Sequence, residues 1–375
     1  YIVLFMLPGI HLPFFPLWLA AEGLNEAAIG LALAASNWAR IFANPLAGYI
    51  ADRSGERRRL LLALAVLCLF SFALFGVAHG LVAVIAVNFL FGLFWGPMMP
   101  LCENTTLLAC YRHRLDYGRI RLWGSLSFMV TSTAAGFILQ TRSTDAILVM
   151  MLLTLAGVVV VATGLPDIRV ENAAPVPEGA GPRRSAPLRA LLRERRYLVM
   201  LAAAAIIHAG HAVLYAFGTL HWQRAGHSND IIGLLWAVGV TAEIGVFAVG
   251  GALMRRLNPA QLMLIGAAMG VVRWSGMALT TDLVFLVPLQ ALHAFSFATA
   301  HLGAMHMLAQ ELRPEVSASA QGFYSVVNGG LALGAAMLAA GPLYAALGGG
   351  SFWLMAARAA VGGVIALFLM PRKSA

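Results

Sequence analysis

Residues 27–58 read AAIGLALAASNWARIFANPLAGYIADRSGERR. The stretch from Ala27 to Ala51 is small and apolar and is long enough to cross a bilayer as a helix. It carries one cation, Arg40, near its middle, and it ends in a turn where Gly55 stands among Asp52, Arg53, Arg57 and Arg58. Charge gathered at the end of an apolar run marks a boundary with water, and a charge inside the run is costly enough to need a reason.

The rest of the chain repeats this pattern. Of its 375 residues 11% are charged and 60% hydrophobic, with a mean hydropathy of +0.81. A soluble chain carries roughly 25% charged residues, so a soluble enzyme, a disordered protein and a disulfide scaffold are excluded. The runs do not alternate, which argues against a β-barrel. The net charge of +9 does not point to nucleic acid, because the arginines sit at run ends. Cys68, Cys102 and Cys110 lie in or beside apolar runs and suggest neither a disulfide framework nor a zinc site. No phosphate loop, nucleophile elbow or magnesium site is present, so no cofactor, metal or covalent chemistry is expected. Tyr1 opens directly on an apolar run, and the natural start of the chain is expected upstream.

Runs long enough to span fall at about 1–20, 27–51, 59–78, 81–109, 119–140, 145–165, 197–221, 229–254, 260–280, 283–310, 316–347 and 351–370. Pro8, Pro13 and Pro16 predict kinks in the first run, and Pro97 and Pro100 in the fourth. Threading the runs back and forth puts 20 basic residues on one side and only Arg142 and Arg224 on the other. The positive-inside rule then places both termini in the cytoplasm. Residues 166–196, with five prolines and a basic end, read as a cytoplasmic linker between a six-helix half at 1–165 and a second at 197–375.

An offset of 203 residues lays Ile29-Gly30-Leu31 on Ile232-Gly233-Leu234, Ala39-Arg40-Ile41 on Ala242-Glu243-Ile244, Gly48 on Gly251 and Arg53 on Arg256. Two six-helix halves in parallel repeat resemble the plan of the major facilitator superfamily. Gly48, Asp52, Arg53, Gly55, Arg57 and Arg58 resemble that superfamily's signature between its second and third helices, although Glu56 stands where a basic residue is usual. The resemblance implies a gating role for this turn. Pro97-Met-Met-Pro100-Leu-Cys-Glu103-Asn104, Asp116-Tyr117-Gly118-Arg119, Gly210-His211, Leu235-Trp236, Val272-Arg273-Trp274, Leu292-His293 and His301-Leu302 together look like the phenylpropionate permease family. That family's fold is shared with lactose and nucleoside proton symporters. The resemblance implies an all-α, twelve-helix secondary transporter in a bacterial inner membrane, acting as a monomer. It implies uptake of a small aromatic carboxylate with protons, by alternating access. The alternatives are an exporter or antiporter of drugs or sugars, or a nucleoside or sugar symporter.

Ionisable groups in the spans are the candidate site. An ionisable side chain at the bilayer centre costs at least about 2.5–3.5 kcal/mol. Glu103 and Glu243 are the two carboxylates inside the runs away from their ends, each readable as a proton carrier or as the partner of an arginine. The fourth run is expected to align Asn88, Gly92, Trp95, Met99 and Glu103 on one face. Arg40, with Asn37 one turn away and Arg273 second, is the expected counter-charge for an anion. Trp95, Asn104, His208, His211, Tyr215, Trp236, His293 and His301 complete the expected substrate surface, aromatic and polar at once, with the histidines as alternative proton sites.

Overall fold

The computed structural model describes residues 1–165, 193–311 and 314–370, the side chains of 311 and 314–319 excepted. The expected linker lies almost wholly outside the described residues. Span 1 is Ile2–Ala21, span 2 Glu26–Ser54, span 3 Arg57–Ala73, span 5 Tyr117–Ile138 and span 6 Ala146–Thr163. Span 4 runs Leu81–Trp95 and resumes as Met98–His113. In the second half, span 7 is Arg195–Ala209 continued by Ala212–Arg224, span 8 Asn229–Ala248, span 9 Pro259–Leu279 and span 12 Ser351–Leu367. Span 10 joins Leu283–Ala291 to Ala300–Glu311 through a π-helical segment, Ala294–Thr299. Span 11 joins Pro314–Ser325 to Leu333–Leu347 through a second, Val326–Ala332.

Nine helical stretches among the described residues are long and apolar enough to cross a membrane, the last of them, Ala320–Leu367, holding two spans. Spans 2 and 5 are as long but more polar. They pack against spans 11 and 8 respectively and form the seam between the halves. Their mid-span polar residues Ser36, Asn37, Ser127, Thr131 and Ser132 are buried against protein.

Local signals set the ends. The Asn25 side chain accepts from the Ala28 amide at 2.9 Å and starts span 2. Gly55, at φ 66°, ends it in the left-handed conformation that a side chain resists. Asn258 and Gln261 form a reciprocal capping box at span 9. The prolines act unequally. Pro8, Pro13 and Pro16 lie inside span 1 without dividing it. Span 4 breaks at Gly96–Pro97, and Pro100 falls in the first turn of the resumed helix, where a missing N–H costs little. This break also overturns the single face expected of span 4. Asn88 donates to the Ala32 carbonyl at 2.6 Å and Gly92 packs on Ser36, both in span 2, whereas Glu103 turns to span 5.

The seam is closed at one end only. Gly30 lies against the Met337 backbone, Gly233 against Ser132 and Gly136 against Asn229, with ideal Cβ positions 2.6, 2.4 and 2.3 Å from carbonyl oxygens. Gly30 and Gly233 are partners under the 203-residue repeat, so the two halves use matched residues to seal it. At the same end Arg224 bonds Glu26 at 2.8 Å, the Asn229 amide bonds the Leu139 carbonyl at 2.9 Å, and Gln140 bonds Asp230. Toward the arginine-rich end Phe42, Leu46 and Tyr49 of span 2 and Trp123 of span 5 stand exposed.

Candidate functional site

Four spans of the second half bring their polar residues to one place. Arg273, on span 9, is 1% exposed. It donates to the Gln290 side-chain oxygen at 2.7 Å and to Ser296 at 3.2 Å, and it faces His293 Nδ1 at 3.0 Å. A guanidinium only donates, so His293 Nδ1 accepts and the hydrogen of the neutral ring sits on Nε2. Nε2 lies 3.3 Å from the Glu243 carboxylate of span 8. The result is a directed chain, Arg273 to His293 to Glu243. Gln290 is held in turn by the Leu235 carbonyl at 3.3 Å, and Ser296 touches His211 at 3.4 Å. The π segment of span 10 places Ser296 for this, and such segments recur at functional positions.

Aromatic rings wall the network. His211 lies 5.3 Å from His293 and 5.6 Å from Tyr215, and Tyr215 stacks on Trp236 at 6.2 Å. Along span 10, His293, Phe297 and His301 stack in sequence at 5.3 and 6.3 Å. His208 meets Phe297 at 5.1 Å and His301 at 6.4 Å. Eight expected site residues thus gather in one half: His208, His211, Tyr215, Trp236, Glu243, Arg273, His293 and His301.

The first half holds the others apart. Arg40 has no ion pair or hydrogen bond among the described residues, and its Nε is buried. Its stem lies against Gly96, beside the buried and equally unpartnered Asn44 oxygen. Glycine is required there, because a Cβ on Gly96 would sit 2.5 Å from Arg40 Cγ. Trp95 stacks on Phe91 at 6.2 Å, and Phe91 on His11 at 5.6 Å, giving this half its own aromatic wall. Asn37 is drawn into the seam, donating to Leu33 O at 2.8 Å and meeting Met337 Sδ at 3.1 Å. Asn104, expected on the substrate surface, lies in this structure on the glycine turn, its oxygen accepting from Arg57 Nε at 3.0 Å. Glu103 pairs with Arg121 at 3.5 Å, the structural partnership left open by the sequence.

The glycine turn is tied down by the same Arg57, buried and 3.3 Å from Asp52, and by Arg58 on the Thr163 carbonyl. Arg53 reaches the Tyr49 hydroxyl at 3.0 Å, Gly48 is uncrowded, and the Asp52 side chain is 81% exposed. Sequence reasoning missed Gln290, Ser296, Asn44, Tyr324 and Asn328. Gln290, His293 and Ser296 recur every third residue in an otherwise apolar run, a spacing that could have revealed the first two; uncharged amides draw less notice than charges. A separate cavity of about 390 Å³ lies between spans 1, 3, 4 and 6, lined by residues such as Leu61, Met98 and Val158. It meets none of this chemistry. No cluster suited to a metal occurs among the described residues.

Residues 1–355 match the family described as MFS_1 like family. The chain is 36% identical over 376 residues to the probable 3-phenylpropionic acid transporter of Escherichia coli (strain K12), covering 99% of this chain and 96% of that one. It is 27% identical to the maltose permease of Geobacillus stearothermophilus, covering 100% and 93%. Among solved structures it is similar to the nucleoside transporter NupG, with a TM-score of 0.84, 16% identity and coverage of 99% and 97%. It is also similar to a bacterial homologue of the human lysosomal transporter Spinster in an inward-facing and occupied conformation, with a TM-score of 0.72, 12% identity and coverage of 98% and 94%.

Proposed function

Because the chain belongs to the MFS_1 like family of major facilitator transporters, and so is a membrane transporter of small molecules rather than an enzyme, we propose that it takes up a small aromatic carboxylate together with a proton. The observation that carries this reading is Arg40, a half-buried cation whose Nε is fully buried and which has no partner among the described residues. An uncompensated buried charge costs several kcal/mol, and a substrate carboxylate supplies the missing partner. The aromatic walls of both halves suit a flat ring. The name of the 36%-identical relative points to the same class of substrate.

Glu243 is the proposed proton site. Its carboxylate faces His293, whose other nitrogen is pinned by Arg273, so a proton added to Glu243 perturbs a chain that reaches span 9. Glu103, paired with Arg121, is the comparison. The arginine-rich end is taken as cytoplasmic, which makes the described state open inward and sealed outside. A carboxylate arriving from outside meets Arg40 while a proton meets Glu243; the halves then rock about the fixed site.

The test is uptake of 3-phenylpropionate and related acids into proteoliposomes, with and without an inward proton gradient. Accumulation that needs the gradient supports the reading. Accumulation of a sugar or nucleoside instead, with no acid carried, would overturn it.

A further inference from the structure

His208 and His301 take no part in the Arg273–His293–Glu243 chain, yet they lie one ring away from it across Phe297. His208 Nδ1 is 2.9 Å from the Ala204 carbonyl. A carbonyl only accepts, so Nδ1 carries the hydrogen and Nε2 of the neutral ring is an acceptor. That Nε2 is buried and has no partner among the described residues. On span 11, Asn328 donates through Nδ2 to the Tyr324 carbonyl at 3.0 Å. This bond fixes the amide and leaves Oδ1 as its free acceptor, again buried without a partner. The Asn328 side chain and the Phe297 backbone both lie close to the His208 ring. Acceptors therefore converge here, and while His208 is neutral no hydrogen lies between them. Buried polar atoms are normally satisfied, and an exception calls for an explanation.

The π segment of span 11 that carries Asn328 also packs on the turn of span 2 that carries Arg40. A Cβ on Gly330 would lie 2.6 Å from Ile41 and 3.6 Å from the Asn37 carbonyl. The segment that carries Asn328 thus joins the aromatic wall of spans 7 and 10 to the turn of span 2 that carries Arg40. We infer that His208 and Asn328 form a subsite for a hydrogen-bond donor on the substrate's ring, so that the acid carried is a ring-hydroxylated arylalkanoate. The inference rests on the proposed seating of the carboxylate at Arg40. A phenol suits the site better than an amine cation. It stays uncharged at neutral pH, as the tyrosine side chain does, and so adds no third positive charge beside Arg40 and Arg273. His301, whose Nδ1 lies 3.3 Å from the Tyr324 hydroxyl, is already occupied and closes the far side.

The test is equilibrium binding to the reconstituted protein of three acids that differ only on the ring: 3-phenylpropionate, 3-(4-hydroxyphenyl)propionate and 3-(4-methoxyphenyl)propionate. The methoxy acid matches the oxygen but cannot donate. The hydroxy acid should bind at least about tenfold more tightly than the other two, the fold-change that leaving a buried acceptor without its donor costs. In Asn328→Leu and in His208→Phe the ratio should fall toward one. The wild-type series needs no variant to fold. If the three acids bind alike, or the methoxy acid matches the hydroxy acid, the subsite is overturned while the carboxylate reading stands. If none of them binds, that reading falls and takes the subsite with it. A preference that persists in both variants places the hydroxyl elsewhere and overturns the assignment. So does loss of proton-driven uptake of the unhydroxylated acid in His208→Phe with an unchanged ratio, which makes His208 a proton site.

Discussion

Arg40 is the residue on which the substrate reading turns. Arg40→Gln should weaken binding of an aromatic acid by about 10- to 100-fold, since a hydrogen bond to a charged group is worth about 1.5–3 kcal/mol. Arg40→Lys should recover part of that loss. Calorimetry on the reconstituted protein measures both, and equal affinities for wild type and Arg40→Gln would remove Arg40 from the site. Glu243→Gln should abolish accumulation driven by a proton gradient and keep substrate counterflow, because a glutamine fills the place but does not titrate. Glu103→Gln should retain both activities. Accumulation by Glu243→Gln at the wild-type level would return the proton to the histidines. At this scale the sequence was informative wherever charge inside an apolar run had to be explained: Arg40, Glu243, Arg273 and His293 all stand out by cost alone. It could not say that three of these touch while Arg40 stands unpaired, because that depends on how spans 8, 9 and 10 rotate against one another.

Among the elements, spans 2, 5, 8 and 11 form the moving seam, and their glycines show how. The repeat that matched Gly30 to Gly233 was legible as a constant offset, and the seam explains its use: each lets two helix backbones meet. Gly233→Leu places carbon where the Ser132 carbonyl stands, and it should hold the sealed end apart. Spin labels at positions 140 and 230 should then sit farther apart than in the parent protein carrying the same labels; an unchanged distance would mean that the seam yields elsewhere. The glycine turn after span 2 belongs to the opposite end. Asp52 is exposed and, among the described residues, pairs only with Arg57, in its own half; the proposed gating role then acts in the state in which this end closes. Asp52→Asn should therefore slow transport and enrich the described state while leaving acid affinity within about twofold. The break in span 4 and the π segments of spans 10 and 11 were not legible. Pro97 and Pro100 carry the same chemistry in the sequence, and only their distance from a helix start separates them. A π segment leaves a helical hydrophobic pattern almost unchanged.

Taken whole, the molecule ties span 2 to span 7 through one ion pair at the end of the seam, Arg224 on Glu26. Glu26 and Arg224 come from different halves and stand at helix ends, outside the apolar runs. The Arg224 guanidinium holds the Glu26 carboxyl below the usual carboxylate range. When the halves part, the carboxyl returns toward its ordinary value near about 4.3. Closure is thus helped by this pair at neutral pH, and that help is lost as the pH falls through the lowered value. Acidifying the side of this pair should shift the wild type toward opening there and should shift Glu26→Gln less, which the same spin-label pair reads. The solitary Arg40 also has an electrical consequence. A monoanion seated on it, with one proton on Glu243, leaves the loaded carrier with the same net charge as the empty one. Voltage across the membrane then has nothing to pull on during the loaded step, and the pH difference alone drives accumulation. Each unit of that difference supports about a tenfold concentration ratio, about 1.4 kcal/mol. Accumulation above the outside concentration should therefore persist when a potassium ionophore clamps the membrane potential at zero, and it should vanish when the two sides share one pH.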